Sequence, residues 1–131
     1  MDIAEDMYRE EVLAHYRNPQ NYGKIEGADA KYHDFNPVCG DEVTVYLKIG
    51  DGKITKVKFE GKGCAISQAA ASIVTEEVTG KKLDYAKQIK QEQLLEMLPI
   101  KVSHLRIKCA MLAIKAIQKG IVKYEGKRIG K

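Results

Sequence analysis

Three cysteines and one aspartate are the residues of this chain best suited to hold a metal ion or to handle sulfur: Cys39, Asp41, Cys64 and Cys109. Cys39 and Asp41 share the loop Asn36-Pro37-Val38-Cys39-Gly40-Asp41, where Gly40 allows a sharp turn and both side chains can face one point. No Cys-x-x-Cys pair occurs, which excludes a zinc ribbon, a zinc finger and a thioredoxin-type dithiol. On spacing alone the thiols could be core filler, because unpaired cysteine is among the most buried residue types. Their settings argue for chemistry. Cys39 lies in a Pro/Gly loop, away from any apolar periodic face. Cys64 follows Gly61-Lys62-Gly63 at a predicted helix start, where unpaired N–H groups and the helix dipole favour a thiolate. The two glycines let the backbone come close to whatever that sulfur holds. Arg106 and Lys108 precede Cys109, and neighbouring cations lower a thiol's pKa.

Asp41 is the natural fourth group. Three thiolates and a carboxylate suit four-coordinate zinc or the corner of an iron–sulfur cluster. The carboxylate is the harder ligand, so a cluster held this way should leave more readily than one held by four cysteines. Plainer readings stand beside these: Asp41 as an Asx-turn residue opening a strand, and Arg106 and Lys108 as basic residues on an exposed helical turn. The histidines lack a supporting motif. His15 sits near the end of the first helix, where a cation is favoured. His33 lies close to the Cys39 loop and His104 five residues before Cys109, and either could serve as a ligand or as a base for a thiol.

The elements that must position these groups follow from periodicity. Residues 3–17 read as a helix, with Tyr8, Val12 and Tyr16 on one face and Asn18-Pro19 as its stop. Residues 28–32 read as a short first strand. Val43, Val45, Leu47 and Ile49 alternate with polar residues, Asp51-Gly52 is a hairpin turn, and Thr55, Val57 and Phe59 alternate on the return. A helix follows Cys64, carrying Ile66, Ala69, Ala70, Ile73, Val74 and Val78, with Gly80 as its C-terminal cap. Residues 83–89 and 94–98 fit two short helices. A last helix spans about 103–119 and stops at Gly120, leaving a basic, frayed tail over about 121–131. Strands followed by helices predict an α+β fold: a small antiparallel sheet of about three strands with helices packed on one side.

Composition bounds the function. A chain of 131 residues fits a single domain over 1–131, long enough for its own core. An odd cysteine count, with no signal-peptide pattern in the acidic start, argues against a disulfide framework and for a cytoplasmic protein. No apolar stretch approaches a membrane span. The net charge of +4 comes from dispersed lysines, a solvated surface rather than a nucleic-acid footprint.

The motifs Asn-Pro-Val-Cys-Gly-Asp at 36–41, Gly-Lys-Gly-Cys-Ala-Ile-Ser at 61–67 and Arg-Ile-Lys-Cys-Ala at 106–110 resemble the three cysteine motifs of IscU/SufU/NifU-type iron–sulfur cluster assembly proteins. The run His15-Tyr16-Arg17-Asn18-Pro19 resembles that family's opening helix, and Val74-Thr75-Glu76 the helix after its second cysteine. The resemblance covers nearly the whole chain. It implies a three-stranded sheet with helices on one side, and convergence of Cys39, Asp41, Cys64 and Cys109 at one exposed end. It further implies a scaffold that accepts sulfur from a cysteine desulfurase as a persulfide, on Cys39 or Cys109, combines it with iron, and passes a transient cluster, of 2Fe-2S type, to recipient proteins. Zinc is implied as another occupant of the same site. Lys108 stands where IscU-type members carry histidine, so Arg106-x-Lys108-Cys109 is closer to SufU-type members, yet their longer segment between the second and third cysteines is missing here. Leu98-Pro99-Ile100-Lys101-Val102 only partly echoes the IscU-type chaperone-recognition stretch, which puts chaperone hand-off in doubt.

Two functions therefore lead: a cluster scaffold, and a zinc-dependent sulfur acceptor that relays persulfide without holding a cluster. Two of other classes compete: a zinc-stabilised structural or nucleic-acid module, and a Cys–His hydrolase using Cys39 or Cys109 with His33 or His104.

Overall fold

The computed structural model describes residues 10–37, 40–99 and 101–129, so Cys39 lies outside the described residues. Strands β1 (Ala30–Asn36), β2 (Asp41–Gly50) and β3 (Lys53–Lys62) form an antiparallel sheet in the order β1-β2-β3. Helix α1 (Glu10–Arg17) precedes the sheet, and the part of the expected helix before Glu10 lies outside the described residues. After the sheet come α2 (Ala65–Val78), α3 (Leu83–Lys87), α4 (Gln91–Met97), a single 3₁₀ turn (His104–Arg106) and α5 (Ile107–Ile129).

The alternation on β2 has its expected physical consequence. Val43, Val45 and Leu47 enter the core on one face, and Thr44 and Lys48 face outward. The β2–β3 turn places Asp51 at φ 54° and Gly52 at φ 72°, the paired left-handed geometry that suits the right-handed twist of a hairpin. On β3 the phase differs from the expected one. A register irregularity between Lys48 and Ile49 puts Ile54 in the core and leaves Thr55 exposed, after which Val57 and Phe59 return to the inner face. The first strand is also longer and later than residues 28–32, because Ala30–Asn36 pairs with Asp41–Leu47 throughout.

Among the described residues, helices cover only the inner face of the sheet. Helix α5 packs on β1 and β2, α2 packs on β3 and α5, and α1 lies against α2. The run Ala69-Ala70-Ala71 is buried, which is how α2 approaches its neighbours closely. Helix α2 ends at Val78; Gly80, at φ 84°, donates its N–H to the Ile54 carbonyl at 2.6 Å and ties the turn back to β3. The frayed tail is corrected. Helix α5 continues through Gly120 to Ile129, with Ile121 fully buried. Gly120 is a contact residue rather than a stop: a Cβ there would stand 3.4 Å from that of Tyr32 on β1. Among the described residues, no helix is long and apolar enough to cross a membrane.

Candidate metal centre

Three chain segments meet at one end of the molecule. Antiparallel pairing of Glu42 with Lys62 brings the start of β2 beside the end of β3, so Asp41, the first residue of β2, lies next to the Gly63-Cys64 link into α2. Helices α2 and α5 pack together, and Cys109 is in the first turn of α5. The outcome is a cluster of Asp41, Cys64 and Cys109 whose ligand atoms all lie within 4.8 Å of one another. Both thiols stand at the N-terminal ends of long helices, where backbone N–H groups favour negative charge.

Burial grades these residues. Asp41 is 2% exposed, Cys109 is fully buried and Cys64 is half-buried. Asp41 Oδ1 accepts the Cys64 N–H at 3.1 Å, a bond across 23 positions of sequence, so the carboxylate is tied to the cysteine helix rather than to a local Asx turn. Its Oδ2 is buried and, among the described residues, accepts no hydrogen bond. A buried carboxylate oxygen without a donor costs free energy unless a positive group meets it, and a cation beside two thiols would do so. The donor set of two soft sulfurs and one oxygen suits zinc or iron. The Cys64 carbonyl accepts from Ser67 Oγ at 3.0 Å and from the Gln68 N–H at 3.1 Å, fixing the first turn of α2.

Arg106 reaches this cluster. Burial by itself would lower its pKa, but charge and hydrogen-bond interactions with Cys64, then with Cys109, raise it above the ordinary arginine value. The guanidinium thus lies near enough to interact with both described thiols. Lys108 is exposed, on the outside of the same turn.

The histidines lie elsewhere. His33 is on the outer sheet face, its Nδ1 3.0 Å from Thr44 Oγ1 and its ring stacked against Phe35, whereas Asp41 points inward. His104 is exposed and outside the cluster. His15 has a packing role that sequence reasoning missed: its Nδ1 is 2.7 Å from Ser72 Oγ, and Ser72 also accepts the Gln20 N–H at 2.8 Å, pinning the loop after α1 to α2. A polar Ser72 within an apolar helical face was the available signal. The glycines before Cys64, expected to let the backbone approach whatever that sulfur holds, also make room for the carboxylate of Asp41 and the backbone of β2.

The NifU-like N-terminal domain family matches residues 7–131. This chain belongs to that family. It is 40% identical over 121 residues to the iron–sulfur cluster assembly scaffold protein IscU 1 of Archaeoglobus fulgidus, covering 90% of this chain and 76% of the relative. It is 32% identical over 140 residues to the zinc-dependent sulfurtransferase SufU of Bacillus subtilis, covering 93% of this chain and 94% of the relative. Among solved structures, the N-terminal part of a nitrogen-fixing NifU-like protein from Brucella abortus superposes with a TM-score of 0.80 at 25% identity, over 96% of this chain and 99% of that one. The family membership agrees with the fold, a three-stranded antiparallel sheet backed by helices.

Proposed function

We propose that this chain is a scaffold for iron–sulfur cluster assembly, which accepts sulfur, binds iron and hands a nascent cluster to other proteins. The observation that carries the reading is the convergence of Asp41, Cys64 and Cys109 within 4.8 Å beneath the Arg106 side chain. Cys39, two residues before Asp41, would complete the donor set as a third thiol. The cluster, of 2Fe-2S type, is cargo rather than a resident group.

The sulfur donor in this reading is a cysteine desulfurase. A thiolate of this chain attacks the outer sulfur of the donor's persulfide, and the donor's thiolate leaves. Of the two acceptors expected from the sequence, Cys109 is enclosed. We therefore assign first acceptance to Cys39. A cleft of about 640 Å³, lined by Arg17, Lys62, Gly63 and Gln68 among others, borders residues 61–63, which lead into Cys64, and gives a partner segment room to approach. Arg106 balances the negative charge that gathers as thiolates form. Chemistry of this kind needs reduced thiols, in keeping with a cytoplasmic setting. Recipient proteins take the cluster, and Asp41 is the ligand through which it is most easily released.

The test is anaerobic reconstitution with ferrous iron, cysteine, a desulfurase and a dithiol reductant, which supplies the electrons that take persulfide sulfur to sulfide. Brown colour and sulfide-to-iron charge-transfer bands are expected, and they should be lost in Cys64→Ser and Cys109→Ser variants. A protein that stays colourless while a control scaffold turns brown refutes the reading. One observation favours a second role, that of a zinc-dependent sulfurtransferase. The position before Cys109 carries an exposed lysine rather than a histidine, and a sulfurtransferase is among the relatives. Tightly bound zinc, with desulfurase stimulation abolished by chelation and no cluster formed, would select it.

A further inference from the structure

Gly61 and Gly63 flank one lysine in the approach to Cys64, yet their surroundings differ in kind. A Cβ on Gly61 would meet the backbone of β2, at the Glu42 carbonyl oxygen and at 2.9 Å from the Val43 Cα, where nothing can yield without moving the strand. A Cβ on Gly63 would stand 2.5 Å from Asp41 Oδ1, 2.8 Å from Asp41 Cγ, and against Ser67 Oγ. Real Cβ atoms essentially never come within 3.0 Å of another heavy atom, so these groups would have to move. They are the ends of side chains, and side chains can rotate. Gly63 is also outside the left-handed region, so alanine can adopt its backbone conformation. A methyl group at position 63 would therefore displace the Asp41 carboxylate and the Ser67 hydroxyl, with no strand or helix backbone among its nearest contacts.

What the carboxylate would lose is specific. In its present position Oδ1 is held by the Cys64 N–H at 3.1 Å, which leaves the buried Oδ2, without a hydrogen-bond donor, turned to other use in a cluster with two thiols. We propose that Gly63 is a positioning residue for the metal centre: its missing side chain keeps Asp41 where Oδ1 is held by the Cys64 amide and Oδ2 is the oxygen that reaches the ion. The proposal rests on the reading of Asp41, Cys64 and Cys109 as metal ligands. Gly61 has the separate task of letting β2 and β3 approach.

Cobalt(II) is the probe, because its ligand-field and sulfur-to-metal bands report donor number and type without any cluster chemistry. The Gly63→Ala protein should keep the thermal midpoint of the metal-free wild type within a few degrees. It should bind Co(II) about tenfold more weakly, as loss of an outer-shell contact does at other metal sites. Its visible spectrum should shift toward that of Asp41→Ala. The double variant Asp41→Ala/Gly63→Ala should bind Co(II) no more weakly than Asp41→Ala alone, because the group that the methyl displaces is already gone. Wild-type affinity and spectrum in Gly63→Ala would overturn the proposal, and so would additive losses in the double variant. If Gly63→Ala alone does not fold, the double variant must fold, since it removes the collision with the carboxylate and leaves only that with the Ser67 hydroxyl, which can rotate. A double variant that is also unfolded places the collision elsewhere and sinks the idea. The two claims separate cleanly. Co(II) binding that is absent from the wild type, or that survives Cys64→Ser, refutes the metal-centre reading itself. Binding abolished by Cys64→Ser but indifferent to Gly63→Ala refutes only the role of Gly63.

Discussion

In the proposed function, Asp41 is the residue on which retention and release of the cargo would turn. Its carboxylate is buried beside two thiols, one oxygen bonded to the Cys64 amide and the other without a hydrogen-bond donor. A carboxylate is a harder donor than thiolate and binds thiophilic iron less firmly, so it marks the weak side of the centre. Replacing it with a fourth sulfur should strengthen that side. Asp41→Cys protein, once reconstituted, is expected to pass its cluster to an apo-ferredoxin about tenfold more slowly, a rise of ~1.4 kcal/mol in the barrier. The transfer is followed by the acceptor's circular dichroism. Equal or faster transfer from the variant would show that the carboxylate does not set the release rate. The candidate ligands were legible as residues because thiols in glycine-rich or cation-flanked settings depart from what a core face requires. The burial of Asp41 and its bond to Cys64 were not legible, since both depend on the strand pairing that brings Glu42 beside Lys62 and so sets Asp41 against Cys64, 23 positions away.

At the scale of elements, α5 shows how a local signal can be overridden. A glycine at position 120 followed by a basic segment has the form of a helix end, and intrinsic propensity supports that reading. Packing reverses it. Gly120 lets the helix lie against Tyr32, Ile121 is fully buried, and Glu125 beyond it pairs with Lys87 at 2.8 Å. Burial of the next turn offsets the cost of glycine in mid-helix, which is on the order of 1 kcal/mol. The same tertiary effect explains β3, where an irregularity between Lys48 and Ile49 shifts the inward residue from Thr55 to Ile54; alternation cannot reveal a register change that depends on the partner strand. By contrast, β2 was legible, because its two faces meet different solvents and its side chains alternate accordingly. A chain ending at Gly120 should therefore be destabilised by about 2–5 kcal/mol, the range for deleting a buried aliphatic side chain. Urea unfolding measures this, and an unchanged midpoint would mean that the last turns contribute nothing.

At the scale of the whole molecule, the core and the candidate metal centre sit in different places. The core lies between the inner sheet face and helices α2 and α5, where Leu47, Ile54, Phe59, Ile114 and Ile117 are fully or almost fully buried. The candidate metal centre lies at one end of that core, where β2, α2 and α5 begin. Small zinc-dependent domains owe their folding to the ion, because their cores are too small to hold without it. This chain has a core of its own, so an ion at Asp41, Cys64 and Cys109 joins three element ends without organising the rest. Metal should then act as a ligand of the folded state, adding ~2.7 kcal/mol when present at about one hundred times its dissociation constant. Zinc-loaded protein stripped with a chelator should keep its far-ultraviolet circular dichroism. Its thermal midpoint should fall by about 10 °C, at roughly 3–4 °C per kcal/mol for a domain of this size. Hydrogen exchange should quicken at the start of β2 and in the first turns of α2 and α5, and stay slow in the middle of α5 and in the β2–β3 ladder. Loss of the entire helical signal on chelation would mean that the ion holds the fold itself. A midpoint that does not move would mean that the site binds no ion in the folded protein.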